Sequence, residues 1–367
     1  MYRPLWIEIN LKKLEKNVTL IKKFIGEGTK VLVTVKQNAY GHGIIPVAEK
    51  LQSLGVHAFG VGSIEEAIVL REQGIKKPIL ILTALLPKDV APFIEYKIIP
   101  TVVEYEFAKR LNAQARKKGV IAPIHIKVDT GMGRLGVWHR EAEQFILRLK
   151  ELKNLFFEGI FTHFPVGDTD SEFTRHQIKV FNALLERLHT KGIRFPYIHS
   201  ANSIGLLKYK ESHFNLVRPG LILYGIKPKN DIDVSLTPIL SMHSKVIFLK
   251  QVPAKRSISY GRTFITTKPT LIATVAVGYA DGYLWNLSNR GKVIIEDTYC
   301  KIRGRVCMDH IMVEVPKAPH VRLGSQVILI GAHKDLTITA EDVALWAQTI
   351  PYEVVSRLSP NIPRIYK

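Results

Sequence analysis

Cysteine is nearly missing from this chain, with Cys300 and Cys307 the only two among 367 residues. Their spacing fits no zinc pattern, and a lone pair in a chain expected to stay in the cytosol is expected to stay reduced. Nothing near either one in sequence resembles a base-paired thiolate, so neither is assigned a nucleophilic role. Long apolar runs are missing as well. None approaches the ~20 residues that a membrane-spanning helix needs, and the stretch Met1-Tyr2-Arg3-Pro4-Leu5-Trp6-Ile7-Glu8 lacks the basic-then-apolar order of a secretory signal. A cytoplasmic location with no membrane partner is the expectation. Acidic residues are scarce relative to basic ones, 32 Asp and Glu against 52 Lys and Arg, which leaves a net charge of +20. Such an excess raises nucleic-acid binding as a reading. The basic clusters Lys22-Lys23, Lys76-Lys77 and Lys117-Lys118 are short, however, and aromatic residues do not alternate with them. They read as solvated helix faces and turns, and no nucleic-acid partner is expected.

What is present is ordinary globular material, 46% hydrophobic and 23% charged. The length favours two domains, one of them large. Val31-Leu32-Val33-Thr34-Val35 is a β-branched run of strand length. Helical periodicity follows from Ile45 to Leu54, then a second strand from His57 to Val61. The next helix, Ser63 to Gln73, opens on Ser63-Ile64-Glu65-Glu66, a capping-box spacing, and stops at Gly74. Further strands are expected at 79–83, 98–102, 123–128, 156–162, 197–199 and 215–218, with helices at 104–118, 139–152 and 172–191 and a short one after Asn202. Eight strands with helical connections over about 200 residues predict an α/β fold, a TIM-type (β/α)8 barrel of parallel strands.

Past about residue 235 the pattern changes. Strands at 246–249, 270–277, 292–296, 311–315 and 326–330 follow one another with short turns, and no long helix appears until Thr339 to Gln348. This predicts a barrel over residues 1–235 and a mainly β C-terminal domain over 236–367. The linker is expected near 228–240, around Pro228-Lys229-Asn230-Asp231.

Barrels of this kind carry their active sites at the C-terminal ends of the strands. Reading those positions yields Lys36, Lys127 with Asp129, His163, His199 with Asn202, and Arg218. Several charged residues ending different apolar strands are hard to explain as surface decoration. Lys36, just before the Gly-rich turn Gln37-Asn38-Ala39-Tyr40-Gly41-His42-Gly43, could be a partly desolvated Schiff-base amine near Arg218. The alternative is a strand-end lysine pointing into water. Ser203 opens the short helix after the seventh strand, and Gly220 follows Arg218 and Pro219 after the eighth, where barrels often bind phosphate. Ser203 could instead be a plain helix cap. A phosphate site and a reactive lysine in one barrel mouth point to pyridoxal phosphate (PLP) chemistry.

The ordered motifs resemble those of alanine racemases along nearly the whole chain. Val35 to Gly43 resembles that family's PLP-lysine motif, and Arg3-Pro4-Leu5-Trp6-Ile7-Glu8-Ile9 its N-terminal strand, which packs with the second domain. Residues 127–136, Thr162-His163-Phe164, 199–203, Val217-Arg218-Pro219-Gly220, Ser259-Tyr260-Gly261, 278–282, 304–309, 351–354 and 363–365 match in order. The resemblance implies an enzyme that interconverts L-alanine and D-alanine, supplying D-alanine for peptidoglycan, with PLP as cofactor. It implies that Lys36 carries PLP and acts as the base on one face of Cα. Tyr260 is implied as the opposite base, supplied by the second subunit of a head-to-tail homodimer that shares its active sites.

The same resemblance implies that Arg218, backed by His163, meets the pyridine nitrogen. A guanidinium that cannot readily release its proton keeps that nitrogen unprotonated. Tyr40, Ser203, Gly220 and Tyr352 are implied as the phosphate contacts, and Asn202 and Leu221 as further cofactor contacts. Arg134, with Met308 and Asp309 of the other subunit, is implied to bind the substrate carboxylate. Lys127 is implied as a carbamylation site that would turn a cation into an anion beside Arg134, the alternative being a Lys127–Asp129 pair.

Departures from the family pattern fall at Trp285, at Pro165 and in Ser359-Pro360-Asn361. The nearest rival is a racemase of the same fold acting more broadly, on serine or lysine. A PLP-dependent decarboxylase would be expected to place an acid where Arg218 stands, and a non-enzymatic PLP carrier would be expected to end near residue 235.

Overall fold

Eight short, mostly apolar strands close into a ring with helices outside. The computed structural model describes residues 3–86, 88, 90–227, 234–316 and 320–367. The ring comprises Lys30–Thr34, Ala58–Val61, Ile79–Ile81, Thr101–Val102, Ala122–Asp129, Leu155–Phe161, Tyr197–His199 and Leu216–Val217. The pairings are parallel and follow chain order, through Leu32 with Ala58, Phe59 with Ile79, Thr101 with His125, Ala122 with Leu155 and Gly159 with Tyr197. A bridge between Leu80 and Ile99 joins the third strand to the fourth. Leu216 beside Lys30 closes the ring. Between the seventh and eighth strands the ladder is replaced by single bonds, including Arg218 N–H to the Ala201 carbonyl at 2.9 Å. This is the (β/α)8 architecture that the alternation predicts.

Strand periodicity sorts the side chains. Val31, Val33, Val35 and Val217 pack outward into the main core beneath the helices. Leu32, Ala58, Leu80, Ile99 and Leu216 form a separate buried cluster, which fills the inside of the ring. The same alternation carried up the first strand leads from Leu32 through Thr34 to Lys36 at its C-terminal end.

Beyond residue 236 the chain builds a nine-stranded sheet in which Leu240–Val252 is the hub. It pairs antiparallel with Thr270–Val275 on one side and Leu5–Ile9 on the other, and also with Gln326–His333, which closes part of the sheet on itself. Leu5–Ile9, from the start of the chain, thus belongs to the second sheet, where it pairs in parallel with Arg364–Tyr366. We place the division between the two units near residue 235. The expected linker residues Pro228-Lys229-Asn230-Asp231 lie outside the described residues.

One long element has no counterpart in the sequence reading. The helix Leu11–Ile25 is capped by Asn10, whose side chain accepts from Lys13 N, and buries Leu14, Val18, Ile21 and Ile25 on one face. Two short strands, Thr298–Ile302 and Leu336–Ile338, and the helix Pro351–Ser356 were likewise not anticipated. Among the described residues no helix is long and apolar enough to cross a membrane.

Candidate active site

The turn after the first strand is left-handed. Gln37, Asn38, Ala39 and Tyr40 all have φ between 53° and 54°, a conformation costing L-residues roughly 1–2 kcal/mol each. It persists because its polar groups are held. Glu66 accepts from the N–H of Asn38 at 3.2 Å and from the N–H of Gly62 at 2.9 Å. The Asn38 side chain accepts from the N–H of Ile44 at 2.8 Å. The Ser63 hydroxyl caps Glu66 N at 3.3 Å as the sequence spacing predicts, but the reciprocal arm of the box is different. The Glu66 carboxylate reaches past its own cap to the Lys36 turn. With the turn held this way, Lys36 and Tyr40 both line one cavity at the barrel mouth. Burial, followed by the nearby Arg134 guanidinium, holds the Lys36 ammonium below its ordinary value against the opposing pull of Glu66.

Arg218, at the end of the eighth strand, is buried in the same wall. Its NH1 donates to His199 Nδ1 at 2.7 Å, and its NH2 to the carbonyls of Thr162 and Ser200 at 2.8 and 3.0 Å. His163 Nδ1, the expected backer, stands at 3.5 Å, so His199 is the closer partner. Because a guanidinium only donates, His199 Nδ1 accepts and its Nε2–H faces His125 Nδ1 at 2.8 Å. His125 Nε2 then donates to Glu158 at 3.2 Å. Burial lowers both histidines, which keeps them neutral despite that carboxylate. Burial also pulls the Arg218 guanidinium down to about 9, still charged at neutral pH.

Lys127, on the fifth strand, faces the same space. Its Nζ and the Arg218 guanidinium stand 5.5 and 5.2 Å from the centroid of the Phe161 ring. Burial, then Arg134 and Arg218, push Lys127 down to about 8. The alternative reading, a Lys127–Asp129 pair, does not form. Asp129 commits both carboxylate oxygens to the N–H groups of Gly131, Met132 and Gly133 at 2.8–3.2 Å, shaping the loop that carries Arg134.

Asn202 caps the helix Ser203–Lys208 by accepting from Gly205 N at 2.9 Å. That leaves the Ser203 hydroxyl, which accepts from Gly220 N at 3.0 Å, as part of the cavity wall rather than the helix cap. A side chain at Gly220 would run into the Tyr40 hydroxyl. Tyr40 and Tyr352 face each other with ring centroids 6.0 Å apart. The cavity holds about 620 Å3 and is also lined by His163, Pro165 and Arg134.

Four residues implied by the family resemblance lie elsewhere. Leu221 opens a short 3-10 turn with its side chain in the core. Tyr260, Met308 and Asp309 belong to the second unit and do not line the cavity. Tyr260 is 74% exposed and Met308 54%. The Tyr260 turn is tied to the loop before Met308, since Ser259 Oγ donates to the Arg305 carbonyl at 2.7 Å. Glu66, His125 and Glu158 were missed. Glu66 carried a signal in its capping spacing, but His125 and Glu158 sit inside strands that read only as apolar runs.

The sequence models for "Alanine racemase, N-terminal domain" and "Alanine racemase, C-terminal domain" match residues 9–228 and 239–366. The alanine racemase of Halothermothrix orenii is 43% identical over all of this chain and 97% of its own length. That of Carboxydothermus hydrogenoformans is 40% identical over 99% of this chain and all of its own. Among solved structures, alanine racemase from Bacillus anthracis with bound L-Ala-P matches with TM-score 0.93 at 35% identity, over 100% of this chain and 96% of that one. The Bartonella henselae enzyme with covalently bound pyridoxal phosphate matches with TM-score 0.91 at 28% identity, over 99% of each.

Proposed function

The chain belongs to the alanine racemase family, and we propose that it interconverts L-alanine and D-alanine by two-base proton exchange at Cα, one base removing the α-proton from one face and the other delivering its own proton to the opposite face, with PLP held by Lys36. Its activity is that of the family, an isomerase reaction on alanine. The observation that carries the mechanistic reading is one cavity of about 620 Å3 lined by a partly buried lysine, Lys36, a buried arginine, Arg218, and the hydroxyl-bearing Tyr40, Ser203 and Tyr352.

That donor set fits the cofactor. Tyr40, Tyr352 and the Ser203 hydroxyl, oriented by the Gly220 N–H that donates to it, would hold a phosphate, and Gly220 leaves the space a side chain would fill. Asn202 and the backbone of Leu221 flank them. Arg218 would meet the pyridine nitrogen through Nε, which donates to none of the described residues, while NH1 and NH2 are already committed. Bound PLP supplies an electron sink that lowers the cost of removing the α-proton.

The chain's own groups do the rest. Burial and the Arg134 charge favour a neutral Lys36 amine, the form that can accept a proton. Arg218 keeps its own proton and protonates nothing, which limits the sink and favours proton return over transamination. Neutral His163 stands beside it without adding charge. Arg134 would receive the substrate carboxylate. Tyr260, exposed on its own chain, would serve the opposite face of Cα in the partner subunit's cavity, with Met308 and Asp309 shaping the carboxylate end. Inversion at Cα needs bases on both faces, so the active unit would be a homodimer. Carbamylated, Lys127 would give Arg134 a negative neighbour in a wall otherwise crowded with cations. We place the enzyme in the cytoplasm, supplying D-alanine for peptidoglycan.

Formation of D-alanine from L-alanine by the PLP-loaded protein, with L-serine and L-lysine run alongside, tests this. Preference for alanine is the expected result. Turnover of serine or lysine at comparable rates would point to a broader racemase, and no turnover of alanine with bound PLP would overturn the substrate assignment.

A further inference from the structure

Every carbonyl of the left-handed turn from Gln37 to His42 is satisfied, and the last two are satisfied from the far end of the chain. Gly41 N–H serves Gln37 O, Gly43 N–H serves Asn38 O, and His42 serves Ala39 O through both its N–H and Nδ1. His42 Nδ1 also lies 2.8 Å from Tyr40 O. That leaves the carbonyls of Gly41 and His42. Arg364 Nε donates to the first at 2.8 Å and the Tyr366 hydroxyl to the second at 3.2 Å, across 323 and 324 positions of sequence.

Arg364 is itself immobilised. Its NH1 donates to the carbonyls of Ser359, Pro360 and Ile362, and its NH2 to that of Leu358. No carboxylate pairs with it among the described residues, so its hydrogen bonds go wholly to backbone. Tyr366 fits so closely that a Cβ at Gly43 would overlap its hydroxyl. Residues 364–366 are in turn a strand paired with Leu5–Ile9, so the clamp is anchored in the second sheet rather than in the barrel.

A run of four residues at positive φ persists only where its surroundings over-determine it. Here the turn sets the positions of Lys36 and Tyr40 together. We propose that Arg364 and Tyr366 are positioning residues for the cofactor site, holding the Lys36 turn left-handed from the C-terminal strand so that Lys36 and Tyr40 face the same cavity. The inference rests on the reading of Lys36 as the PLP-bearing lysine. It also makes the C-terminal strand a link through which the second unit's seating reaches the barrel's cofactor.

The test compares holoenzyme of the parent with Arg364→Gln, Arg364→Lys and Tyr366→Phe. PLP loss after dilution and the pH titration of the protein-bound PLP absorption band are followed beside the unfolding midpoint. Tyr366→Phe removes one oxygen and keeps the ring, so it preserves the fold if Arg364→Gln does not. Lys367→Ala, which breaks the pair with Glu8 just past that strand, is the control. The expected result is PLP loss about tenfold faster and a displaced absorption titration in Tyr366→Phe and Arg364→Gln. Partial recovery is expected in Arg364→Lys, and parent behaviour in Lys367→Ala. Variants with lower unfolding midpoints but parent-like PLP retention and titration would overturn the proposal. If the parent carries no PLP band at all, the assignment of Lys36 falls first and takes this inference with it.

Discussion

Arg218 NH1 donates to Nδ1 of His199 at 2.7 Å, and through that bond a buried guanidinium is tied to a carboxylate two imidazoles away. His199 stacks on Phe161 with centroids 4.7 Å apart, so its ring has one orientation available. Replacing it should leave Arg218 in place but unpaired at NH1. His199→Leu is expected to lower kcat about tenfold to a hundredfold, the range for losing a hydrogen bond to a charged group. PLP content should be retained. Steady-state racemisation measured beside the PLP absorbance checks it, and an unchanged kcat would show that the relay does not tune Arg218.

Lys127 should report its burial through pH. Its proton affinity in the folded chain, about 8, lies below the ordinary lysine value of 10.5. Between the two the unfolded chain binds more protons, so stability rises with pH across that window and the penalty is present in full below it. In bicarbonate-free buffer, Lys127→Met is therefore expected to be more stable than the parent near pH 7, and the difference should shrink towards about pH 10. Urea unfolding at several pH values measures this. A difference independent of pH would contradict the assigned cause.

The neutral amine of Lys127 is also the form that adds carbon dioxide, its nitrogen forming the new C–N bond and releasing a proton to solvent. Carbon-13 NMR of protein in labelled bicarbonate should show a carbamate resonance that is absent in Lys127→Ala. A spectrum shared by both proteins would place the carbamate elsewhere.

Tyr260 and Lys36 are expected to work in different subunits. Tyr260→Phe should slow α-proton removal from one enantiomer by about a hundredfold or more, while exchange of the other enantiomer's proton persists. Mixing inactive Lys36→Ala and Tyr260→Phe chains should restore about a quarter of parental activity, since half the dimers are mixed and each has one complete site. No recovery on mixing would argue that each site is built within one chain.

The Glu66 carboxylate accepts from the N–H groups of Asn38 and Gly62, binding the Lys36 turn to the end of the next strand. Glu66→Gln keeps the shape but only one accepting atom and no charge. A loss of about 2 kcal/mol in unfolding free energy is expected, read by denaturant titration of the PLP-loaded protein. A loss near zero would mean that the turn is held without it.

Much of the barrel was legible because strand and helix periods are local. The alternation of Val31, Val33 and Val35 with Leu32 and Thr34 already separates the outward face from the inward one, and stepping on by two reaches Lys36. The cap at Ser63 and the breaks at Gly74 and Asn202 are short-range chemistry as well. The motifs around Lys36, Arg134, His163, Ser203 and Arg218 could be placed at strand ends before any coordinates, and the structure brings them to one cavity.

Other features needed the folded chain. His125 looked like one more residue of a strand until ring closure set it against His199. Asp129 seemed a partner for Lys127 until the loop's own N–H groups claimed both of its oxygens.

By itself the sequence determined the alternating strands and helices of the barrel, the family resemblance, and which polar side chains end the strands. Those properties depend on neighbours a few residues apart. Tertiary structure alone decided that Glu66 restrains the Lys36 turn, that His199 rather than His163 is the near partner of Arg218, and that residues 364 and 366 reach back to 41 and 42. Hydrogen bonds of that kind have no period and no fixed spacing. They exist only once ring closure and the docking of the second sheet have brought distant backbone within about 3 Å.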